Sequence, residues 1–248
     1  MVELIFGELN TLDLTMAVTT GVVGGIVLLI SYKMTMYGIA NWKARKTVHI
    51  TMGTIIALTA LRYSNLSGPF LAAGIFLTIL IYAWAHKSNL ITILLVAGTR
   101  ESETRSNTFA SGIMGLAGFS VAFMLSAAHS SVFVAAILAV AWGDAAGEVI
   151  GRSVGGKLVQ KKYRKKSFEG SLGVFIFGIL SVLVALLTQL NEICPICVLP
   201  QILVVAAVIA ATEAISIGWS DNFLIPILTA VVMISLIFPG DWSILLPI

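Results

Sequence analysis

Apolar residues come in long runs along this chain, and short charged stretches separate them. A run of about 18 or more reads as a membrane span, because lipid offers no water to satisfy the backbone and a helix satisfies it internally. Eight spans are predicted, at 14–32, 47–65, 69–86, 109–128, 131–150, 171–190, 199–217 and 223–239. The apolar run at 89–98 is short for a span and reads as interfacial or re-entrant. A membrane barrel needs short segments of alternating hydrophobicity, and the sequence has none. The expected fold is therefore all-α. It is a single polytopic domain over 1–248, a bundle of about eight transmembrane helices.

Composition agrees with this pattern. Of 248 residues, 58% are hydrophobic and 11% charged, and the mean hydropathy is +1.00. A soluble domain carries roughly a quarter charged residues. The formal net charge of +3 is modest, but its distribution orients the chain. With the amino terminus outside, three cytoplasmic connections take nearly all the basic residues. Lys33, Lys43, Arg45 and Lys46 lie on the first, and Lys87, Arg100 and Arg105 on the second. The third holds Arg152, Lys157, Lys161, Lys162, Arg164, Lys165 and Lys166. Of the Lys and Arg, only Arg62 falls on the other side, as the positive-inside rule expects. The first apolar run comes after Glu3, Glu8 and Asp13 rather than a basic segment, so no cleavable secretory signal is expected. Localisation is expected in a membrane, multi-pass: the plasma membrane of a prokaryote or an internal membrane of a eukaryote. No connection is long enough for a soluble domain, so catalysis must be built from cytoplasmic loops and span ends.

Four constellations carry the candidate chemistry. The first is Gly143-Asp144-Ala145-Ala146-Gly147-Glu148, at the cytoplasmic end of the fifth span. Asp144 and Glu148 are four apart and share a helix face. Charges inside a span are expensive and mark function. Two carboxylates facing a phosphate site suit a divalent cation, Mg²⁺ in the usual case. Gly143, Gly147 and Gly151 repeat at the spacing that lets helices pack closely, which explains the glycines but not the acids. The second is the basic loop 151–170, with Gly151-Arg152 and Lys157 at its start and Lys165-Lys166-Ser167-Phe168-Glu169-Gly170 at its end. Glycine N–H groups and the Lys and Arg charges suit an anion. Gly151 to Lys157 is not a P-loop, because Leu158 stands where a hydroxyl should bind Mg²⁺ and no strand precedes it. A basic loop resting on anionic headgroups would explain the lysines but not Glu169.

The third is Arg45-Lys46-Thr47-Val48-His49 at the entry to the second span, with Arg45 and His49 on one face. Arg45 or Lys46 suits a phosphate contact, and His49 an oxygen or a carboxylate; a positive-inside anchor is the plainer reading. The fourth is Thr212-Glu213 late in the seventh span, with Asp221-Asn222 and Pro226 after it. Glu213 should face the bundle interior, whereas Asp221 alone is explained by helix capping. All four lie at one membrane face, which suits a charged nucleotide meeting a lipid. Arg100 and Arg105, bracketing Glu101 and Glu103, read as a solvated charge cluster. Cys194 and Cys197, the only cysteines, read as a structural disulfide or two thiols on the outer side. No further His or Cys is near enough to make a metal site.

In these runs the chain resembles the polyprenol kinase family, which includes dolichol and phytol kinases and is related to the CDP-diacylglycerol synthases. The match rests on Arg45 to His49, Gly143 to Ala146 with Gly151-Arg152, Lys165 to Gly170, and Thr212-Glu213 with Asp221-Asn222 and Pro226. The Lys-Lys-Ser-Phe-Glu-Gly run is the most specific of these. The resemblance implies CTP-dependent, Mg²⁺-dependent phosphorylation of an isoprenoid alcohol. It places Asp144 and Glu148 as metal ligands and Asp144, Glu169, Glu213, Asp221 and His49 as catalytic candidates. The phosphate-binding set is Arg45, Lys46, Gly143, Gly151, Arg152, Lys157, Lys165, Lys166, Ser167, Gly170 and Asn222. The base on the lipid hydroxyl is left open among Glu169, Glu213 and Asp221. CTP-dependent diacylglycerol kinases and cytidylyltransferases that make CDP-lipids remain as alternatives. A transporter fits less well, since its ionisable groups should lie near the midplane in related halves. Nucleic acid is not an expected partner.

Overall fold

A computed structural model describes residues 7–63, 65–86, 90–96, 104–126, 129–154, 158–160, 166–188, 193–217 and 219–239. The helices are α1 (Thr11–Met36), α2 (Asn41–Ala60), α3 (Ser67–Ala85), α4 (Leu90–Val96), α5 (Arg105–Leu125), α6 (Ser130–Leu138) and α7 (Ala145–Val154), then α8 (Phe168–Leu187), α9 (Leu199–Ile215) and α10 (Asp221–Ile237). A π-helical turn, Ala139–Asp144, joins α6 to α7. The only sheet among the described residues is an antiparallel ribbon of β1 (Leu158–Gln160) and β2 (Lys166–Ser167). Apart from that ribbon the described elements are helices, as the all-α expectation has it. Strands of two and three residues are too short to leave a period-two signal.

Five helical stretches are long and apolar enough to cross a bilayer: Thr11–Met36, Ser67–Ala85, Ser106–Leu125, Ser130–Val154 and Phe168–Leu187. The protein is thus built for a membrane. Helices α9 and α10 are apolar but shorter. The predicted second span, 47–65, is displaced: α2 starts at Asn41 and ends at Ala60. Gly38, with φ of +79°, turns the chain out of α1, and the basic residues then enter α2 rather than a loop. Lys and Arg are good helix formers, and their charges find acids across the bundle. The ten-residue apolar run becomes the short helix α4.

The composite helix from α6 to α7 is the centre of the bundle. Its most apolar window is 72% buried, against 17% for those of α1 and α3. It packs against α2, α8 and α10, and α9 closes over α8. One core joins these helices, with Ile137, Leu186, Ile202, Ile209 and Met233 inaccessible or nearly so. Between helices in lipid the attraction is close packing rather than water exclusion, so small residues mark the crossings. A Cβ on Gly147 would lie 2.7 Å from Val174 Cγ2, and one on Gly170 2.8 Å from the Gly147 carbonyl oxygen. One on Gly173 would lie 2.6 Å from Ile150 Cδ1. The α7–α8 crossing therefore requires glycine on both helices. At the α5–α10 crossing, a Cβ on Gly118 would lie 2.8 Å from the Asn222 carbonyl oxygen.

The opposite end is tied down differently. Asn10 and Asp13 form a reciprocal capping box at the start of α1. Hydropathy places Asp13 in a lead-in before the first span, yet it is fully buried, because α1 begins three residues before the predicted span. Cys194 and Cys197 are joined in a disulfide just before α9.

Candidate functional site

The π-helical turn ends on Asp144. Such turns insert a residue into the helix register, re-aim the side chains beyond, and recur at functional sites. Here the turn packs against α2, where Gly53 meets Ala141 and Trp142 Nε1 donates to Thr54 Oγ1 at 3.0 Å. That contact brings the first turns of α2 beside α7.

Two buried lysines organise the charged end of the bundle. Lys46 of α2, 2% exposed, donates from Nζ to the Asp144 carboxylate and to the Asp144 carbonyl at 3.1 Å. Its Nζ also lies 3.2 Å from Glu148 Oε2. Arg45 pairs with the same Glu148 oxygen, and Arg152 reaches Glu148 Oε1 at 2.9 Å from Nη2 and 3.0 Å from Nε. His49 and Arg45 act electrostatically on Asp144. The second lysine, Lys166 of β2, lies 2.5 Å from Glu213 Oε1 through Nζ. It also donates to the Glu213 carbonyl and to Ser216 Oγ at 3.2 Å. The two pairs belong to one cluster: Asp144 and Asp221 both act on Glu213 electrostatically. A Cβ on Gly147 would stand 3.9 Å from the Glu213 carboxyl carbon, so glycine there also leaves room for that acid.

The predicted residues thus fall into groups. Arg45, Lys46, His49, Asp144, Glu148 and Arg152 converge around the α2–α7 contact. Lys166, Glu213 and Asp221 converge where β2, α9 and α10 meet. Asp221 opens α10, and its Oδ1 accepts the Asn222 N–H at 3.0 Å. Asn222 Nδ2 donates to Ser111 Oγ at 2.6 Å, at the α5–α10 crossing. Ser167 caps α8, its Oγ accepting the Gly170 N–H at 3.1 Å. Gly143, Gly151 and Gly170 pack against neighbouring helices: a Cβ on Gly151 would lie 2.9 Å from Ser167 Oγ. Glu169 sits in the first turn of α8. Lys157 and Lys165 lie outside the described residues.

Sequence reasoning missed Trp42, Ser111 and Ser216. The Arg152 guanidinium carbon stands 5.1 Å from the Trp42 ring centroid, and Lys43 Nζ 5.6 Å. Ser111 leads a small-residue row with Gly115 and Gly118, a signal readable at helical spacing. Ser216 had no such signal.

The site retains unused capacity. Arg45 Nε is buried with no hydrogen-bond acceptor, and Glu169 Oε2 is buried with no donor, among the described residues. The donor set at Asp144 also fits a hard divalent cation. Two carboxylates and one carbonyl oxygen already converge on a single positive charge, the Lys46 ammonium. Mg²⁺ typically needs only one or two carboxylates when substrate phosphates and waters complete its shell. No group of three or more His, Cys, Asp or Glu side chains suited to a metal forms among the described residues.

No family model, curated protein or solved structure matches this chain.

Proposed function

We propose that the protein is a multi-pass membrane kinase that transfers the γ-phosphoryl group of a nucleoside triphosphate to the hydroxyl of an isoprenoid alcohol. The resemblance in its motifs makes CTP the donor. The amino terminus lies outside and the charged end of the bundle faces the cytoplasm, where the positive-inside distribution puts it. One observation carries the reading. Two buried lysine–acid pairs, assembled from α2, the π-helical turn, β2 and α9, meet at one end of an otherwise apolar bundle. Buried charges of this kind are costly in a membrane protein and mark a ligand or a reaction.

Phosphoryl transfer demands positioning and neutralisation of charge more than covalent chemistry from the protein. Arg45, Lys46 and Arg152 supply that charge along α2 and α7, and Lys166 supplies it beside α9. Arg45 Nε holds an unused N–H for a phosphate oxygen. Asp144 and Glu148 are the residues that would hold Mg²⁺, which neutralises the β- and γ-phosphate oxygens when bound. The ion pairs hold these side chains together at one site before substrate arrives.

The test is label transfer. Purified protein in detergent is incubated with Mg²⁺, isoprenoid alcohols, diacylglycerol and γ-labelled CTP or ATP. Label is expected in an organic-extractable lipid monophosphate, with CTP as the better donor. Label entering a lipid only from α-labelled CTP, with a phosphorylated lipid as acceptor, would identify a cytidylyltransferase instead.

A further inference from the structure

The site presents several acids, and they are not equivalent. Asp144 and Glu148 share Lys46, and Glu148 also holds Arg45 and Arg152. Glu213 holds Lys166, and Asp221 Oδ1 accepts a main-chain N–H. These carboxylates are committed to cations or donors. Glu169 differs. Its Oε2 is buried and accepts nothing among the described residues. A buried acceptor without a partner costs about 1–3 kcal/mol, and native structures keep few such groups, a catalytic role or a bound ion or water being among the reasons they persist.

Its position points the same way. Glu169 lies between Ser167, which caps α8, and Gly170, which packs on Gly147 of α7. Lys166, three residues earlier, binds Glu213. Glu169 therefore stands in the first turn of α8, three residues after the lysine that joins the charged cluster. Its chain neighbour Phe168 is 63% exposed. Leu172, Ile176, Leu180 and Val184 come next at four-residue intervals, all exposed. Residues four apart share a helix face, so an apolar row runs the length of α8 and begins beside Glu169. On α2 and α7 the exposed groups include charged ones, Lys43, and Arg152 beside Trp42, together with the apolar Val149 and Val154. α2 and α7 thus bring charge to the site, and α8 an unbroken apolar row.

Building on the kinase reading, we propose that Glu169 is the general base that accepts the proton of the lipid alcohol. An alcohol anchored by a long apolar chain along α8 brings its hydroxyl to Glu169 Oε2 without leaving the bilayer surface. The hydroxyl donates to that oxygen and loses its proton to it as the alcohol oxygen bonds to the γ-phosphorus. The bond from the γ-phosphorus to the bridging β–γ oxygen breaks, and the electron pair leaves with the nucleoside diphosphate. The products are a lipid monophosphate, the diphosphate and a protonated Glu169, which returns its proton to water.

Glu169→Gln keeps the size and removes the base. Its turnover is expected to fall at least a hundredfold, in the range by which general bases contribute. The Michaelis constant for CTP should stay within about twofold, because the phosphate-binding cations are untouched. Glu169→Asp, which keeps a carboxylate on a shorter arm, should recover part of the rate. Full turnover in Glu169→Gln would overturn the proposal, as would a large rise in its Michaelis constant for CTP, which would make Glu169 part of the donor site. A native protein that transfers phosphate to no alcohol at all would overturn the kinase reading and this assignment with it. Transfer by the native protein with an indifferent Glu169→Gln would sink this assignment alone.

Discussion

The two ends of the bundle each bury an acid, in contrasting ways. At one end Asp13 sits in the capping box of α1, with Oδ1 2.8 Å from where a Cβ on Gly68 would stand in the first turn of α3. Its company is a backbone N–H, the positive end of a helix and the Tyr63 ring. Burial first, and then the Asp13 carboxylate, push the Tyr63 phenol up. At the other end Asp144 and Glu213 each face a buried lysine, and arginines crowd behind. The first arrangement ties α1 to α3 and leaves no surplus positive charge. The second gathers cations and their acids from elements far apart in sequence. Burial of an acid alone is therefore a poor guide to function; the number of cations brought to it separates the two cases.

Several substitutions sharpen or break this contrast. Asp144→Asn should lower transfer by about a thousandfold or more, the scale of losing a preorganised charge in a reaction site. The protein should remain extractable and helical by circular dichroism, because Lys46 keeps Glu148 and the Asp144 carbonyl as partners. Near-native transfer would remove Asp144 from the reaction. Lys166→Met leaves Glu213 buried without its cation and should cost about 3–5 kcal/mol of stability. Adding Glu213→Gln in the same chain should return most of that loss in thermal unfolding. An additive double mutant would show that the pair is not coupled.

Gly147→Ala forces a methyl against Val174 and should cost about 1–3 kcal/mol. Val174→Ala in the same chain should relieve it. Asp13→Asn should have the smallest effect, about 1 kcal/mol in unfolding, with transfer unchanged. Loss of transfer in Asp13→Asn comparable to that in Asp144→Asn would erase the distinction between the ends.

Much of this was legible in the chain. The apolar runs fall on the helices of the structure within a few residues at most ends, since a backbone in lipid has little choice but helix. The charged motifs were legible as well, because each stands out against apolar surroundings. What the chain did not carry was partnership. Lys46 reaches Asp144 and Lys166 reaches Glu213 only through the packing of distant helices. The glycines of the first two motifs were ambiguous for the same reason. In sequence they suit an anion or a crossing, and contacts at Val174, Ile150 and Ser167 show the crossing. Asp13 was misplaced because its capping role depends on where α1 begins, which hydropathy fixes only coarsely. The π-helical turn left no sequence signal, yet it re-aims the residues from Asp144 onward.

The most direct test of the central claim is the identity of the products. Purified protein is given CTP, Mg²⁺ and a long-chain isoprenoid alcohol, and both product pools are resolved by phosphorus NMR. The account predicts CDP and lipid monophosphate in equal amounts, and neither from Asp144→Asn. Diphosphate appearing with a CDP-lipid when a phosphorylated acceptor is supplied, or CTP left intact with every acceptor, would contradict it.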